Sequence, residues 1–383
     1  MKVTIVSSFP MDGKATSNRV KVFAEQLLIE NLANSVTIVC PSSDNHNFLT
    51  QDNNLKLVDI NLNEINKKNY FIRAYHELSH AFKLFNNAKK NNPDVLLVTV
   101  PSVLLLIPIL FSKKSYFIAL DIRDIVWNYF SGNIFNVFIN KILSVIFKYA
   151  IKKSNIISVT NNMEKKQVLE LSGIEPIIAA NGISSQTFDS LSKIKLKEQT
   201  KKVNLTYIGN VGIAQELECL IQLANDYSHN MEVTIIGDGS RQSYLKKLAR
   251  KTNLKNINFV GKISPFFLSE HIEKSDILFA QIGINFSSAV PTKIFEYFAS
   301  SRKVLLGLPD GQAKEIFKDF SGVKIFPVGK YNELKESFEI IRNLTFVPEM
   351  AEKNKNILKH KFIRENNAKF YLNTLKDSFK QHF

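Results

Sequence analysis

Two cysteines, Cys40 and Cys219, are the only ones in 383 residues. A disulfide scaffold and a cysteine-rich zinc module are therefore excluded, and a reducing compartment is expected. Glycine (14) and proline (11) are sparse, which excludes collagen-like and low-complexity classes. No repeat with a period of roughly 20–50 residues is found, so a solenoid is excluded too. The seven histidines show no H-E-x-x-H spacing. His76 and His80 sit four apart on an expected helix, but no carboxylate pattern joins them, and they read as surface or packing residues. G-x-G-x-x-G is missing, which removes the main support for a nicotinamide or flavin dehydrogenase. A Walker lysine, a G-x-S-x-G elbow and a cysteine-nucleophile context are missing as well. The longest apolar run, Val95 to Phe111, is broken by Thr99, Pro101, Ser102 and Pro108. It reads as a buried strand followed by a short apolar helix, not as a membrane span. The apolar run Val3–Ser7 is too short for a signal-peptide core, so export is not expected and a cytoplasmic location is.

What is present suits a globular protein. With 45% hydrophobic and 22% charged residues the chain can bury real cores, and its length suggests two domains. Net charge is +15. Residues 1–190 carry 20 basic and 15 acidic side chains and residues 191–383 carry 30 and 20, so the excess is +5 and +10. Diffuse positive charge suits nucleotide phosphates or an anionic membrane surface. No zinc-finger, RNP or arginine-rich motif accompanies it, so nucleic acid is not expected as a partner. Much of the excess also reads simply as solvated lysine.

Short β-branched runs alternate with helical stretches from end to end. Val3–Val6, Val36–Cys40, Leu57–Ile60, Val95–Val100, Tyr116–Asp121 and Ile156–Thr160 read as strands of a first half. Residues 190–202, basic and polar, read as the region of a linker, after which the rhythm restarts. Leu205–Ile208, Val233–Ile236, Ile257–Val260, Ile277–Gln281 and Val304–Gly307 read as a second set of strands. The pattern predicts α/β architecture with two doubly wound parallel sheets. Ligands of such sheets sit at the carboxyl ends of strands, so a cleft between the two domains is the expected site. The expected boundaries are 1–190, a linker at 191–202, 203–360, and a basic helical tail at 361–383, whose packing the pattern leaves open.

Six segments could carry chemistry. Phe9–Arg19 joins the first strand to the first helix, where free backbone amides suit an anion or a sugar; an ordinary capped loop fits equally well. Ile118–Trp127 ends a strand in Arg123-Asp124, which reads either as placed for chemistry or as a structural ion pair. Asn181-Gly182 reads as a tight turn. Gly209-Asn210-Val211-Gly212 and Gly237-Asp238-Gly239 each follow a strand, and glycine there lets backbone approach a phosphate closely. In Ser288–Ala299, Pro291 suits a first helical turn, while Lys293 and Glu296 lie three apart on one face. A carboxylate can accept two hydrogen bonds from a ribose diol while a lysine meets phosphates. A surface ion pair is the plainer alternative.

In this order the segments resemble the group 1 retaining glycosyltransferases of the GT-B fold, over roughly residues 1–345. The likeness is carried by TYIGNVGIAQELECLIQLA, VTIIGDGS, INFVGKIS, SDILFAQI and AVPTKIFEYFASSRKVLLG, with ISVTNNMEKKQV and IAANGISSQTF in the first half. DIRDIVW looks like the signature of the subgroup that moves N-acetylated amino sugars in bacterial surface-polysaccharide assembly. The resemblance implies two Rossmann-like domains facing a central cleft, the first binding acceptor and the second the nucleotide-sugar donor. It gives Glu296 the nucleotide ribose, and it gives Gly209, Asn210, Gly212, Gln215, Gly237, Asp238, Gly239, Arg241, Pro291 and Thr292 to the donor. Lys293, Asp124 and Arg123 are its catalytic candidates, and Gly13 and Arg19 its acceptor candidates. The chain departs from the family at Ser288, where the first glutamate of its Glu-x7-Glu motif would fall. It also departs at Asn210 and Gln215, where the usual Arg and Lys fall.

The implied reaction is a retaining, metal-independent transfer without a cofactor, from a nucleotide-sugar, UDP-linked by expectation, to a lipid-linked or oligosaccharide acceptor in capsule or O-antigen biosynthesis. Cleaving the anomeric bond builds charge on the leaving diphosphate, which the Gly212 backbone, the helix start near Thr292, and Lys293 are expected to meet. Helix 134–153, with Phe135, Phe138, Ile142, Val145, Ile146 and Tyr149 beside Lys141, Lys148, Lys152 and Lys153, reads either as a core helix or as a peripheral contact with the anionic inner leaflet of the plasma membrane. A sugar-nucleotide epimerase of the same fold and a non-catalytic sugar-binding partner subunit of a transferase stay open as alternatives.

Overall fold

The computed structural model describes residues 1–12, 15–43, 52–62, 70–100, 102–112, 116–123, 125, 134–198, 200–264 and 267–383. The chain forms two compact units: Met1–Ala180 with Arg364–Phe383, and Asn181–Ile363.

Unit 1 runs β1 (Lys2–Ser7), α1 (Ala15–Ile29), β2 (Ser35–Pro41), β3 (Leu55–Ile60), α2 (Tyr70–Lys89), β4 (Val95–Val100), α3 (Ile107–Leu110), β5 (Phe117–Ile122), α4 (Ile134–Lys153), β6 (Ile156–Val159), α5 (Asn162–Ser172) and β7 (Ile177–Ile178). Its strands pair in parallel in the order β3-β2-β1-β4-β5-β6-β7. Side chains alternate across the sheet with the period of two that strands impose. Val3, Ile5, Val36 and Ile38 enter the core on one face, while Val6, Val39, Leu96 and Val98 enter the other. The apolar run from Val95 gives β4, a short 3-10 turn and α3, as its interruptions predict. No described helix is long and apolar enough to cross a membrane.

Unit 2 runs α6 (Ser185–Leu191), β8 (Val203–Ile208), α7 (Glu218–Asp226), β9 (Met231–Ile236), α8 (Gln242–Lys251), β10 (Ile257–Gly261), α9 (Leu268–Lys274), β11 (Ile277–Gln281), α10 (Lys293–Ala299), β12 (Lys303–Gly307), α11 (Gln312–Phe317), β13 (Val323–Phe326), α12 (Tyr331–Asn343) and α13 (Pro348–Lys361). The strand order is β10-β9-β8-β11-β12-β13, again parallel. Both sheets are thus doubly wound. The chain reverses direction across the sheet between β1 and β4 in unit 1 and between β8 and β11 in unit 2.

The unit boundary lies earlier than the sequence suggests. Residues 181–202, divided there between the end of a first domain and a linker, belong to unit 2. Leu191 and Ile194 are buried in its core, and Lys197 pairs with Asp276 at 2.9 Å. Asn181-Gly182 does not form the tight turn expected, and Gly182 has no positive φ. Its backbone passes directly against Phe362, where any Cβ would strike the Phe362 carbonyl oxygen. Ile183 N–H donates to that carbonyl at 3.0 Å, so the two segments at the ends of unit 2 lie side by side.

The final helix, α14 (Arg364–His382), is a structural part of unit 1. Ala368, Tyr371, Leu372 and Leu375 join the core around α1, and the Tyr371 and Phe23 rings lie 5.6 Å apart. Lys369 meets Glu30 of unit 1 at 2.7 Å. Lys369, Lys380 and His382 are exposed, while Lys376 donates to Asn31 O at 3.0 Å.

Candidate active site

The switch point between β8 and β11 is where a doubly wound sheet opens a crevice at its carboxyl edge. The two central strands diverge there for a visible reason. Their ladder runs only from Leu205/Ile277 to Tyr207/Phe279. At the next residue, Ile208, the backbone groups are taken by Tyr297 of α10, whose phenol accepts the Ile208 N–H at 3.0 Å and donates to the Ile208 carbonyl at 3.1 Å. Full burial holds that phenol far above its ordinary pKa, so it stays protonated as a donor.

The loops after β8 and β9 interlock over this edge. Gly209 N–H donates to Ile236 O at 2.9 Å, Val211 N–H to Asp238 O at 2.9 Å, and Arg241 N–H to Val211 O at 3.0 Å. The fit requires glycine. Gly237 has φ +136, and a Cβ there would collide with Gly209 O; a Cβ on Gly239 would collide with Val211 O. Tyr207 closes the arrangement from below by donating to Asn210 O at 2.6 Å. The loop after β11 joins in: Gly283 N–H donates to Ala214 O at 2.7 Å, and Gln281 Nε2 bonds Glu216 O at 2.9 Å.

The residues expected to hold the donor fall into two groups. Gly209, Asn210, Gly212, Gln215, Gly237, Asp238, Gly239 and Arg241 lie on the interlocked loops after β8 and β9. Pro291, Thr292, Lys293 and Glu296 open α10, which Tyr297 ties to the end of β8. Lys293 Nζ lies 2.8 Å from Glu296 Oε2; the lysine is half-exposed and the carboxylate retains 16% of its surface. The surface ion pair offered by the sequence therefore exists. It stands on the same short turn as the ribose-binding carboxylate that the resemblance implies. Ser288 is buried just ahead of that turn.

Two groups expected to serve the donor are already engaged. The Gly212 N–H donates to Gln215 Oε1 at 3.1 Å, and Asn210 Nδ2 donates to the same oxygen at 3.3 Å. The Gln215 carboxamide thus takes the backbone donor that the sequence offers to phosphate. Arg241 forms an ion pair with Glu218 and lies over the Tyr244 ring at 4.1 Å, so its charge is directed to α7. Lys293, paired with Glu296, is left as the cation of this cluster that stands beside the expected ribose ligand. Tyr297, Tyr207, Gln281 and Glu218 carry no sequence signal of these roles, because each acts through a contact with a distant element.

In unit 1 Arg19 is 3% exposed, and it donates to Asp121 of β5 through Nε at 2.8 Å and Nη2 at 2.6 Å. Ser158 Oγ adds a third bond to that carboxylate at 2.8 Å. The guanidinium expected to meet the acceptor is thus buried and joins α1 to β5. Arg123 follows β5, half-buried, with its N–H donated to Val100 O at 3.1 Å. Gly13 and Asp124 lie outside the described residues. Among the described residues no group of three His, Cys, Asp or Glu side chains is placed to hold a metal ion.

Residues 189–359 match the family Glycosyl transferases group 1. No curated protein matches the chain in sequence. Solved structures resemble it along its whole length. Sucrose-phosphate synthase from Thermosynechococcus elongatus has a TM-score of 0.76 at 12% identity, over 100% of both chains. WaaG, a glycosyltransferase involved in lipopolysaccharide biosynthesis, has 0.67 at 12% identity, over 98% of both. HepE from Anabaena, solved with UDP and glucose, has 0.66 at 12% identity, over 98% of this chain and 99% of its own. At such identities the likeness establishes the fold, which is GT-B, with each domain Rossmann-like.

Proposed function

With residues 189–359 belonging to the group 1 glycosyl transferases and the whole chain built on the GT-B fold, the protein is a glycosyltransferase, and we propose that it moves a sugar, with retention of configuration, from a UDP-linked donor to a lipid-linked or oligosaccharide acceptor in bacterial surface-polysaccharide assembly. The observation that carries the donor reading is the Lys293–Glu296 pair at the switch point of unit 2. Glu296 accepts hydrogen bonds from the ribose diol. Lys293, drawn to the diphosphate, meets the negative charge that grows there as the anomeric carbon–oxygen bond breaks. The bonding electrons leave with the diphosphate, and a new bond forms to the acceptor oxygen, whose proton passes to the departing diphosphate.

We read the reaction as independent of a metal or cofactor, with Lys293 and the helix start near Thr292 in place of a divalent cation. The UDP reading is supported by the UDP and glucose held by Anabaena HepE, which shares the fold. The polysaccharide reading is supported by the DIRDIVW segment and by the fold shared with WaaG. A lipid-carried acceptor places the enzyme at the cytoplasmic face of the plasma membrane. The test is a donor screen reading UDP or GDP release with a lipid-linked acceptor. Release of UDP that needs the acceptor supports the reading. Isomerisation of the donor without acceptor, or binding of neither UDP nor GDP, overturns it.

A further inference from the structure

Among the described residues five that are not glycine have a positive φ: Asn31, Asn92, Glu216, Asn253 and Ser301. Four of them stand between the end of a helix and the strand that follows, at the amino edges of the sheets. Three of those four are asparagine, which tolerates left-handed backbone. Glu216 is the exception. It lies between β8 and α7, at the carboxyl edge of unit 2, with φ +45 and ψ +49. A long charged residue adopts that backbone only under strain. The strain is held from the neighbouring strand: Gln281, buried at the end of β11, donates from Nε2 to the carbonyls of Gln215 at 3.3 Å and Glu216 at 2.9 Å. The result is a carboxylate standing at the switch point. A Cβ on Gly283 would lie 2.6 Å from Glu216 Oε1, so the side chain rests over the start of the segment that leads to Pro291 and Glu296. Gly283 N–H donates to Ala214 O at 2.7 Å, and the residues beside that bond, Ile213 and Ile284, are 74% and 67% exposed. Glu216 is exposed as well, and among the described residues its carboxylate has no hydrogen bond or ion pair. The fold gains nothing polar from this side chain, and glycine would adopt the same backbone without strain.

We propose that Glu216 is a specificity-determining residue for the transferred sugar. Its carboxylate accepts a hydrogen bond from a hydroxyl of a neutral sugar ring, and it repels a ring that carries a carboxylate of its own. An ionised carboxylate only accepts hydrogen bonds. The diphosphate of a sugar-nucleotide offers acceptors alone, so it does not suit Glu216, and the ribose diol is assigned to Glu296. Sugar hydroxyls are the donors that remain. The exposed Ile213 and Ile284 supply apolar surface beside this one polar group, the mixture of which small-molecule sites are made. The inference rests on the donor reading proposed above, which puts the sugar-nucleotide on the loops after β8 and β11.

The test uses the full chain and two variants. Glu216→Gly removes the strain and the carboxylate together; Glu216→Gln keeps the strain and removes the charge. The donors are the neutral sugar-nucleotide found by the screen above and UDP-glucuronate. In both variants kcat/KM for the neutral donor should fall about 10- to 100-fold, the range for losing a hydrogen bond to a charged acceptor. The preference for that donor over UDP-glucuronate should narrow about tenfold. Neither the dissociation constant of the free nucleoside diphosphate nor the KM for acceptor should rise. Glu216→Gly should unfold at a temperature no lower than wild type, which a residue serving the fold would not allow. Wild-type kcat/KM and donor preference in both variants overturn the proposal. So does a loss confined to the acceptor KM, or one matched by an equal loss of affinity for the free nucleotide, which would place the effect in the loop and not at the sugar. A wild type that prefers the uronate overturns it outright. A donor that releases GDP sinks the UDP reading alone, and the same two variants then decide the role of Glu216 with that donor. A chain that releases neither UDP nor GDP from any donor sinks the donor reading and this proposal together.

Discussion

Tyr297 grips Ile208 by both of its backbone groups, at 3.0 and 3.1 Å, at the point where the ladder between β8 and β11 stops. At this switch point a side chain thus stands in place of a further rung of the sheet. The same phenol fixes the turn that carries Glu296 relative to the Gly209–Gly212 loop. Tyr297→Phe removes one oxygen and leaves a buried N–H and a buried carbonyl unpaired. The expected cost is about 2 kcal/mol or more of unfolding free energy, with weaker UDP binding in the variant that remains folded. Denaturant melts and calorimetry with UDP measure both. A variant as stable as wild type would show that the two bonds contribute nothing.

Glu296→Ala should weaken UDP binding about 10- to 100-fold, the range for losing hydrogen bonds to a charged acceptor. Stability should change little, since the partner left behind, Lys293, is half-exposed and can be solvated. Calorimetry decides: an unchanged dissociation constant in a folded Glu296→Ala protein removes the carboxylate from the nucleotide site.

Lys293→Ala should act on a different step. If its amine meets charge that develops only as the bond breaks, kcat should fall by about 10²- to 10³-fold while the KM for acceptor stays near wild type. Equal kcat in the variant would assign Lys293 to the surface pair alone. The prediction is sharpened by the engagement of Arg241 with Glu218 and of the Gly212 amide with Gln215, which leaves few alternative donors on these loops.

The division between what the sequence discloses and what it conceals follows the range of each interaction. Strands such as Val95–Val100 and Ile277–Gln281 were legible to the residue, because burial on both faces writes a continuous apolar run. Gly237 and Gly239 were legible as close backbone approaches, although what they approach is the Gly209–Val211 loop of the same unit; Gly209 and Gly212 lie against side chains of their own segment, Tyr207 and Asn210 with Gln215. The Arg19–Asp121 contact was not legible because the partner stands 102 positions away, and an arginine near a βα loop looks the same whether it faces a ligand or a buried carboxylate. Gly182 was misread for a similar reason: the Phe362 backbone that demands it arrives from 180 positions later. Gln215 shows the limit at short range. Its residue type suggests a ligand contact, and only the 3-10 turn of residues 213–215 reveals that its carboxamide folds back on Gly212.

Gly237→Ala should be the most damaging single-atom change in unit 2. It places a methyl group against Gly209 O and forces an L residue to φ +136. Strain of about 1–3 kcal/mol from the backbone alone is expected, with more from separating the two loops. The measurement is chemical unfolding together with soluble yield. Wild-type values for both would mean that the loops have room the structure does not show.

Removing residues 364–383 should unfold unit 1, although the cut lies at the far end of the chain. α14 fills the groove beside α1 with Tyr371, Leu372 and Leu375, each fully buried, and Phe379 packs on Phe117 at 5.8 Å. At about 1.5–3 kcal/mol for each large apolar side chain, three of them amount to about 5–9 kcal/mol. That is comparable with the roughly 5–15 kcal/mol that holds a typical domain together. The truncated chain should therefore show rapid hydrogen exchange in β1, β2 and β4 while β8 and β11 stay protected, because no residue of unit 2 is removed. Protection of β1 equal to that of the intact chain would mean that α14 merely covers a unit able to stand without it.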